Sequence, residues 1–296
     1  MTSTLVEPLF VLYGSQMGNS EQHAKEFCKQ AQEIWTPDFF LRHGLPAALP
    51  STLSIDCICM QLDDFLELHH AAFTKVIVIF VSSYGVGQAP LGSYRFRQIS
   101  ERWIQDYATD KPTTDATQSS STTTSSTGSS TTIGSNQKKP LEGLHYAICG
   151  LGDSMYTTYL RNPTTIDAGL TAAGATRIGD MGKADAGQSG DDAQDKVIAR
   201  WMETMWVPVA RAMAQAILND QEGGTKVDWK QMQSQVIELL VELDPEYTPP
   251  KDHHQKKVSG GKMGGIWGFF SNATIVMTVG VAVLGSVLFY TSAEKI

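Results

Sequence analysis

The chain has 296 residues, 42% of them hydrophobic and 18% charged, with a formal net charge of −8. That length allows one or two domains with enough apolar content for a core, and an acidic balance argues against nucleic-acid binding as the main task. Four cysteines are too few for a disulfide scaffold, and with no CxxC or HExxH spacing, neither a zinc site nor an oxidising compartment is expected.

Met1–Pro8 lacks the basic start and apolar run of a secretory leader. Leu9–Tyr13 (LFVLY) reads as a short strand ending at Gly14, and Glu21–Trp35 as a helix. A second strand is expected over Leu53–Met60, after an ill-patterned link through Pro37–Pro50. Lys75–Ser82 (KVIVIFVS) is apolar on both faces, as a central parallel strand requires. Ser93–Tyr107 follows as a helix. The pattern then breaks: in Thr117–Thr132, 14 of 16 residues are Ser or Thr. Such a stretch buries too little to offset chain entropy, so 111–140 reads as a disordered insert. A fourth strand is expected at His145–Gly150, a helix at Thr164–Ala173 and a fifth strand at Thr176–Gly179. Gln194–Asn219 closes the domain as a helix bent at Pro208. Five strands alternating with helices predict an α/β domain, a parallel sheet covered on both faces. Ligands bind such sheets beyond the carboxyl ends of the strands, where the strand order reverses.

In the linker 221–265, Trp229, Met232, Val236, Leu239, Leu240 and Leu243 fall at helical spacing. They predict an amphipathic helix that packs on the domain or on a membrane surface. From Ile266 to Tyr290 no residue is charged, and Ala273–Ser292 is almost continuously apolar. Twenty residues at about 1.5 Å rise reach roughly 30 Å, the thickness of the bilayer hydrocarbon. Trp267 and Tyr290 stand at the ends as interfacial anchors, and Lys251, Lys256, Lys257 and Lys262 lie upstream. Residues 266–292 therefore read as a transmembrane tail anchor in the lipid bilayer, with the N-terminal domain in the cytosol. The endoplasmic reticulum and the mitochondrial outer membrane both suit this span.

Three loops at one sheet edge carry the chemistry. After the first strand, Ser15, Gln16, Met17, Gly18, Asn19 and Ser20 form a small, polar turn into a helix. Its backbone amides, hydroxyls and helix dipole favour an anion. Without the lysine of a Walker-type loop it suits a monophosphate better than a nucleoside triphosphate. After the third strand comes Ser82-Ser83-Tyr84-Gly85-Val86-Gly87-Gln88-Ala89-Pro90, and after the fourth Gly150-Leu151-Gly152-Asp153-Ser154-Met155-Tyr156. Each sets one tyrosine in a glycine-rich turn. Two rings above an anion cradle make a slot for a flat, phosphorylated aromatic molecule. No GxSxG elbow or nucleophile–base spacing supports a hydrolase.

YGSQMGNSE, SSYGVGQAP and YAICGLGDSMY, with GATRIGDMGKADAG downstream, resemble the phosphate loop and the two flavin-stacking loops of the flavodoxin-type FMN domain. The likeness is greatest to the FMN module of the diflavin reductases, the NADPH–cytochrome reductase group. The resemblance implies a flavodoxin-like five-stranded parallel sheet, order 2-1-3-4-5, with helices on both faces, over residues 8–220. It implies FMN, with Ser15, Gln16, Met17, Gly18, Asn19 and Ser20 around the phosphate. Tyr84 and Tyr156 would sandwich the ring, with Ser83, Leu151, Gly152 and Asp153 in the same two loops. Gly85 and Gly87 would let backbone approach the flavin, Gly85 near N5, and Asp185 matches the family's acidic residue beyond the fifth strand. Three departures stand out. Met17 replaces the usual Thr and removes a hydroxyl, while Val86 and Gln88 stand where acids are common and should raise the flavin potential.

The FAD/NADPH half of the diflavin proteins has no counterpart here. The resemblance thus implies a membrane-tethered electron carrier, reduced by a separate FAD- and NADPH-containing reductase. Its acceptor would be a haem, iron–sulfur or radical-enzyme protein, docked in a salt-sensitive way through the acidic balance. The alternative is a tail-anchored scaffold on a degenerate flavodoxin-like fold with no redox role.

Overall fold

The computed structural model describes residues 5–45, 53–68, 75–107, 139–221, 223, 226–245 and 247. Most of the Ser/Thr-rich insert and the whole of the expected tail anchor lie outside these residues. Among the described residues no helix is long and apolar enough to cross a membrane.

The sheet is built from β1 (Leu5–Gly14), β2 (Leu53–Gln61), β3 (Val76–Ser82), β4 (His145–Gly152), β5 (Thr176–Arg177) and β6 (Gly182–Asp185). All pairings are parallel, in the order β2-β1-β3-β4-β5 expected from the sequence. Five strands become six. The stretch expected as one fifth strand pairs β4 only at Thr176 and Arg177, and β6 then pairs Cys149–Gly152 in its place. Between them Gly179 takes φ +63°, a left-handed turn that lifts the chain off the ladder before it returns at Gly182. The return puts Asp185 opposite Gly152.

β3 shows why the layers form. Val76, Val78 and Phe80 face one core, while Ile77, Ile79 and Val81 face the other, and all six are buried. The two-residue period of a strand supplies both faces. The first face is covered by α1 (Asn19–Ile34) and α6 (Gln194–Gln221), through Phe27, Trp201 and Trp206. α6 continues as one helix through Pro208. A short helix α2 (Pro37–Arg42), capped by the Thr36 side chain, adds Phe39 and Phe40 to that core. The second face is covered by α3 (Leu62–Leu66), α4 (Tyr94–Tyr107), α5 (Arg161–Ala172) and α7 (Trp229–Leu243).

α7 is the amphipathic helix read in the linker, and the face it covers is protein. Trp229, Met232, Val236 and Leu240 are buried in the second core. Trp103 Nε1 donates to Gln235 Oε1 at 3.0 Å, and Gln235 Nε2 donates to the Tyr107 hydroxyl at 2.7 Å.

Register aligns the site. Gly14 at the end of β1 pairs Val81, the next residue Ser82 pairs Leu151, and Gly152 pairs Asp185. Four strand ends thus finish in one row, flanking the β1–β3 boundary where the strand order reverses.

Candidate functional site

The loops leaving β1, β3 and β4 enclose a cleft of about 440 Å³. Of the residues singled out in the sequence, Ser15, Gln16, Met17, Asn19, Ser83, Tyr84, Gly85, Leu151, Gly152, Asp153 and Tyr156 line it. Gly18, Ser20, Gly87 and Asp185 stand outside the lining and act on its walls. Thr158, Tyr159, Ala186 and Gln194 line it too and were not foreseen. Tyr159 offered a signal, as a third tyrosine just past the strand. Gln194, the first residue of α6, offered none, because only the fold brings α6 to this edge.

The first loop is shaped around one hydroxyl. Ser15 Oγ accepts from Gly18 N at 3.0 Å and Ser20 N at 3.2 Å. Gly18, at φ +92°, reverses the chain as the N-cap of α1, a conformation costly for residues with a Cβ. The Gln16, Met17 and Asn19 amides donate to no acceptor among the described residues. The Ser20 side chain is fully buried with its Oγ unpartnered. A buried hydroxyl left in that state is costly. Free amides and the N-terminus of a 16-residue helix are a donor set that suits a phosphate monoester. On the same helix, Lys25 is paired with Glu21 at 2.6 Å. The Met17 side chain is 86% exposed.

The second loop is a tight hairpin turn. Tyr84 N donates to Gln88 O at 3.0 Å, and Gln88 N and Gly87 N donate back to Tyr84 O. Ser15 N donates to Leu91 O at 3.0 Å, and Leu91 N donates to Gln16 Oε1 at 3.4 Å, so the first loop is fastened to the segment just beyond the turn. Ser83 bridges the other way: its N donates to Leu151 O, and its Oγ accepts from Asn162 N.

The third loop hangs on Asp185. Its Oδ1 accepts from Ser154 N at 2.8 Å and Gly187 N at 2.9 Å, and its Oδ2 accepts from Gln188 Nε2 at 3.2 Å. Burial alone raises this carboxyl, but the hydrogen bonds from Ser154, Gly187 and Gln188 outweigh it and hold the pKa at about 2. Asp185 therefore braces two loops from beneath the cleft. Gly152 lets Tyr159 close in, since a Cβ there would lie 2.8 Å from its ring carbon Cδ2.

A carboxyl held below its ordinary range gives stability that is complete above about pH 4 and fades as pH falls through about 2. Asp185→Asn is thus expected to lower the unfolding midpoint at pH 4–7, with the gap to wild type closing below pH 2. Urea titrations at stepped pH check this, and a gap independent of pH contradicts it.

Tyr84 and Tyr156 line the same cleft and remain 47% and 59% exposed. Uncovered aromatic surface at a cavity mouth is a place for a flat ring to stack. The cleft thus combines an anion nest with two ring platforms, which is the chemistry of a phosphorylated flavin.

The chain is 28% identical to an NADPH–cytochrome P450 reductase of Aspergillus terreus over 203 residues, 69% of this chain and 23% of the reductase. A second such reductase, from Emericella nidulans, is 29% identical over the same span. The chain covers about a quarter of the length of either. A flavodoxin from Pseudomonas aeruginosa aligns with 69% of this chain and 99% of its own, at 16% identity and a TM-score of 0.41. Residues 52–201, half of the sequence, match the profile named Flavodoxin, and on that match the chain belongs to the flavodoxin family, with FMN as its cofactor.

Proposed function

We propose that this protein is an electron carrier, tethered to a membrane by residues 266–292. It would be reduced by a separate FAD- and NADPH-containing reductase and oxidised by a haem protein. Iron–sulfur and radical enzymes are the other acceptor classes. The observation that carries the reading is the single cleft that joins a lysine-free nest to two exposed tyrosine rings. The similarity to cytochrome P450 reductases favours haem as the acceptor, and the uncharged run from Ile266 to Tyr290 supports the tether.

FMN, when bound, supplies a centre that accepts and releases electrons one or two at a time. The protein's part is to bind, orient and shield it. Ser15 Oγ spends its lone pairs on Gly18 N and Ser20 N, which leaves its proton to donate toward a phosphate oxygen. The Gln16, Met17 and Asn19 amides complete that shell. Tyr84 and Tyr156 would cover the ring faces and keep water off them. The Gly152 carbonyl, which accepts from Ala186 N and Gln194 Nε2, is tied to the scaffold and fixes the third loop's approach.

The test is the visible spectrum of the full-length protein in mild detergent during FMN titration. Binding of one equivalent with quenched flavin fluorescence is expected, and a protein that takes up no FMN defeats the reading. For the tether, the full chain should sediment with membranes, whereas a chain ending at residue 250 should stay in the supernatant. Equal partitioning of the two refutes that part alone.

Ser20→Ala removes a fully buried hydroxyl with no partner among the described residues, so the FMN-free protein should gain about 1 kcal/mol. Denaturant midpoints measure the gain, and a loss of stability contradicts it.

A further inference from the structure

The turn Tyr84–Gln88 is a partition. Tyr84 lines the 440 Å³ cleft on one side and a larger groove of about 1040 Å³ on the other. Val86 at its tip is 71% exposed, so little packing holds it from outside. The Arg161 and Thr158 side chains pack against Gly87, and one side chain in the groove hydrogen-bonds to the turn's backbone. Arg97, in the first turn of α4, donates from Nη1 to the Gly87 carbonyl at 2.6 Å. Its Nε donates to Glu101 Oε1 at 2.9 Å, and the arginine side chain is only 13% exposed against 46% for the glutamate. A shielded guanidinium on a carbonyl makes a charge-assisted bond, among the stronger kinds in proteins. Its charge is only partly offset, because its partner stands half in solvent.

We propose that Arg97 is a positioning residue for the flavin, with Glu101 as its counterweight. The guanidinium clamps the turn so that Tyr84 is preset before FMN arrives, and its charge favours the reduced, more electron-rich flavin. Presetting a loop lowers the entropy cost of binding, and a fixed cation near a group that gains electrons stabilises the reduced form. The inference rests on the FMN reading above. It adds that the potential is set partly from behind the turn, by a cation absent from the cleft lining.

The experiment uses the full-length protein in detergent with FMN, in four forms: wild type, Arg97→Met, Arg97→Lys and Glu101→Gln. Three quantities are read: FMN affinity by fluorescence quenching, the two-electron potential by dye-linked titration, and the melting temperature without FMN. Arg97→Met is expected to weaken FMN binding about tenfold and to lower the potential by about 30 mV, a tenfold shift in relative affinity for the two oxidation states. Glu101→Gln, which unmasks the guanidinium, is expected to raise the potential. Arg97→Lys keeps the charge without the planar fork, so it should hold the potential near wild type while leaving affinity between the other two. A merely structural arginine would lower the melting temperature in both Arg97→Met and Glu101→Gln without moving the potential in opposite directions. Unchanged potentials in Arg97→Met and Glu101→Gln, or shifts of the same sign, overturn the proposal while leaving the FMN reading intact. A wild type that binds no FMN overturns both.

Discussion

Replacing Tyr84 and Tyr156 together by alanine is expected to weaken FMN binding by about a thousandfold. Stacking an aromatic ring on a planar heterocycle is worth roughly 2 kcal/mol per face, and two independent faces give about 4 kcal/mol, or three powers of ten. Each single variant should lose about thirtyfold, and phenylalanine at either position should retain most of the affinity, since the ring and not the hydroxyl supplies the contact. Both side chains are about half exposed, so the FMN-free protein should melt within a degree or two of wild type. That combination, a large binding loss with little change in fold stability, separates ring platforms from core residues. Fluorescence titration and thermal melts on the same samples read it. A double variant that still binds FMN within threefold of wild type would remove the tyrosines from the site.

Trp206→Ala should act in the opposite way. Trp206 is 7% exposed and stacks on Phe27 with centroids 4.6 Å apart, and Trp35 meets it edge-on at 5.9 Å. Trp35 Nε1 also donates to the Trp206 carbonyl at 3.1 Å, a bond that survives the substitution. Truncating a buried tryptophan costs about 3–5 kcal/mol in lost transfer energy and residual cavity. Against a usual domain stability of about 5–15 kcal/mol, that is a large share. Phe27 lies on α1, whose N-terminus follows directly from the anion nest, so the loss reaches the site through the helix that presents it. Saturating FMN should return part of the stability by mass action, about 2.7 kcal/mol at a hundred times the dissociation constant. Urea midpoints with and without FMN measure both terms. A shift below 1 kcal/mol would mean the cluster closes around the gap and α1 is held by other contacts.

Much of the architecture was legible because β3 and β4 are buried on both faces, and continuous apolar runs such as VIVIFVS declare a central parallel strand. The three site loops were legible for a related reason. Glycine, serine and asparagine between a strand and a helix satisfy local backbone demands, which short-range patterns encode. The sixth strand was not legible. Gly182–Asp185 reads GKAD, which has neither apolar run nor alternation, and it is a strand only because β4 offers an unpaired edge from Cys149 to Gly152.

The sequence by itself determined the first four strands, the longer helices, the lysine-free nest and the presence of two tyrosines past strand ends, because each depends on residues close in the chain. Only the tertiary structure decided that Asp185 braces the third loop from below, that Gln194 and Tyr159 join the cleft, that α7 covers protein, and that Arg97 holds the Gly87 carbonyl. Those contacts join segments fixed by sheet register and by the packing of helices on its two faces, and no local pattern carries such long-range geometry.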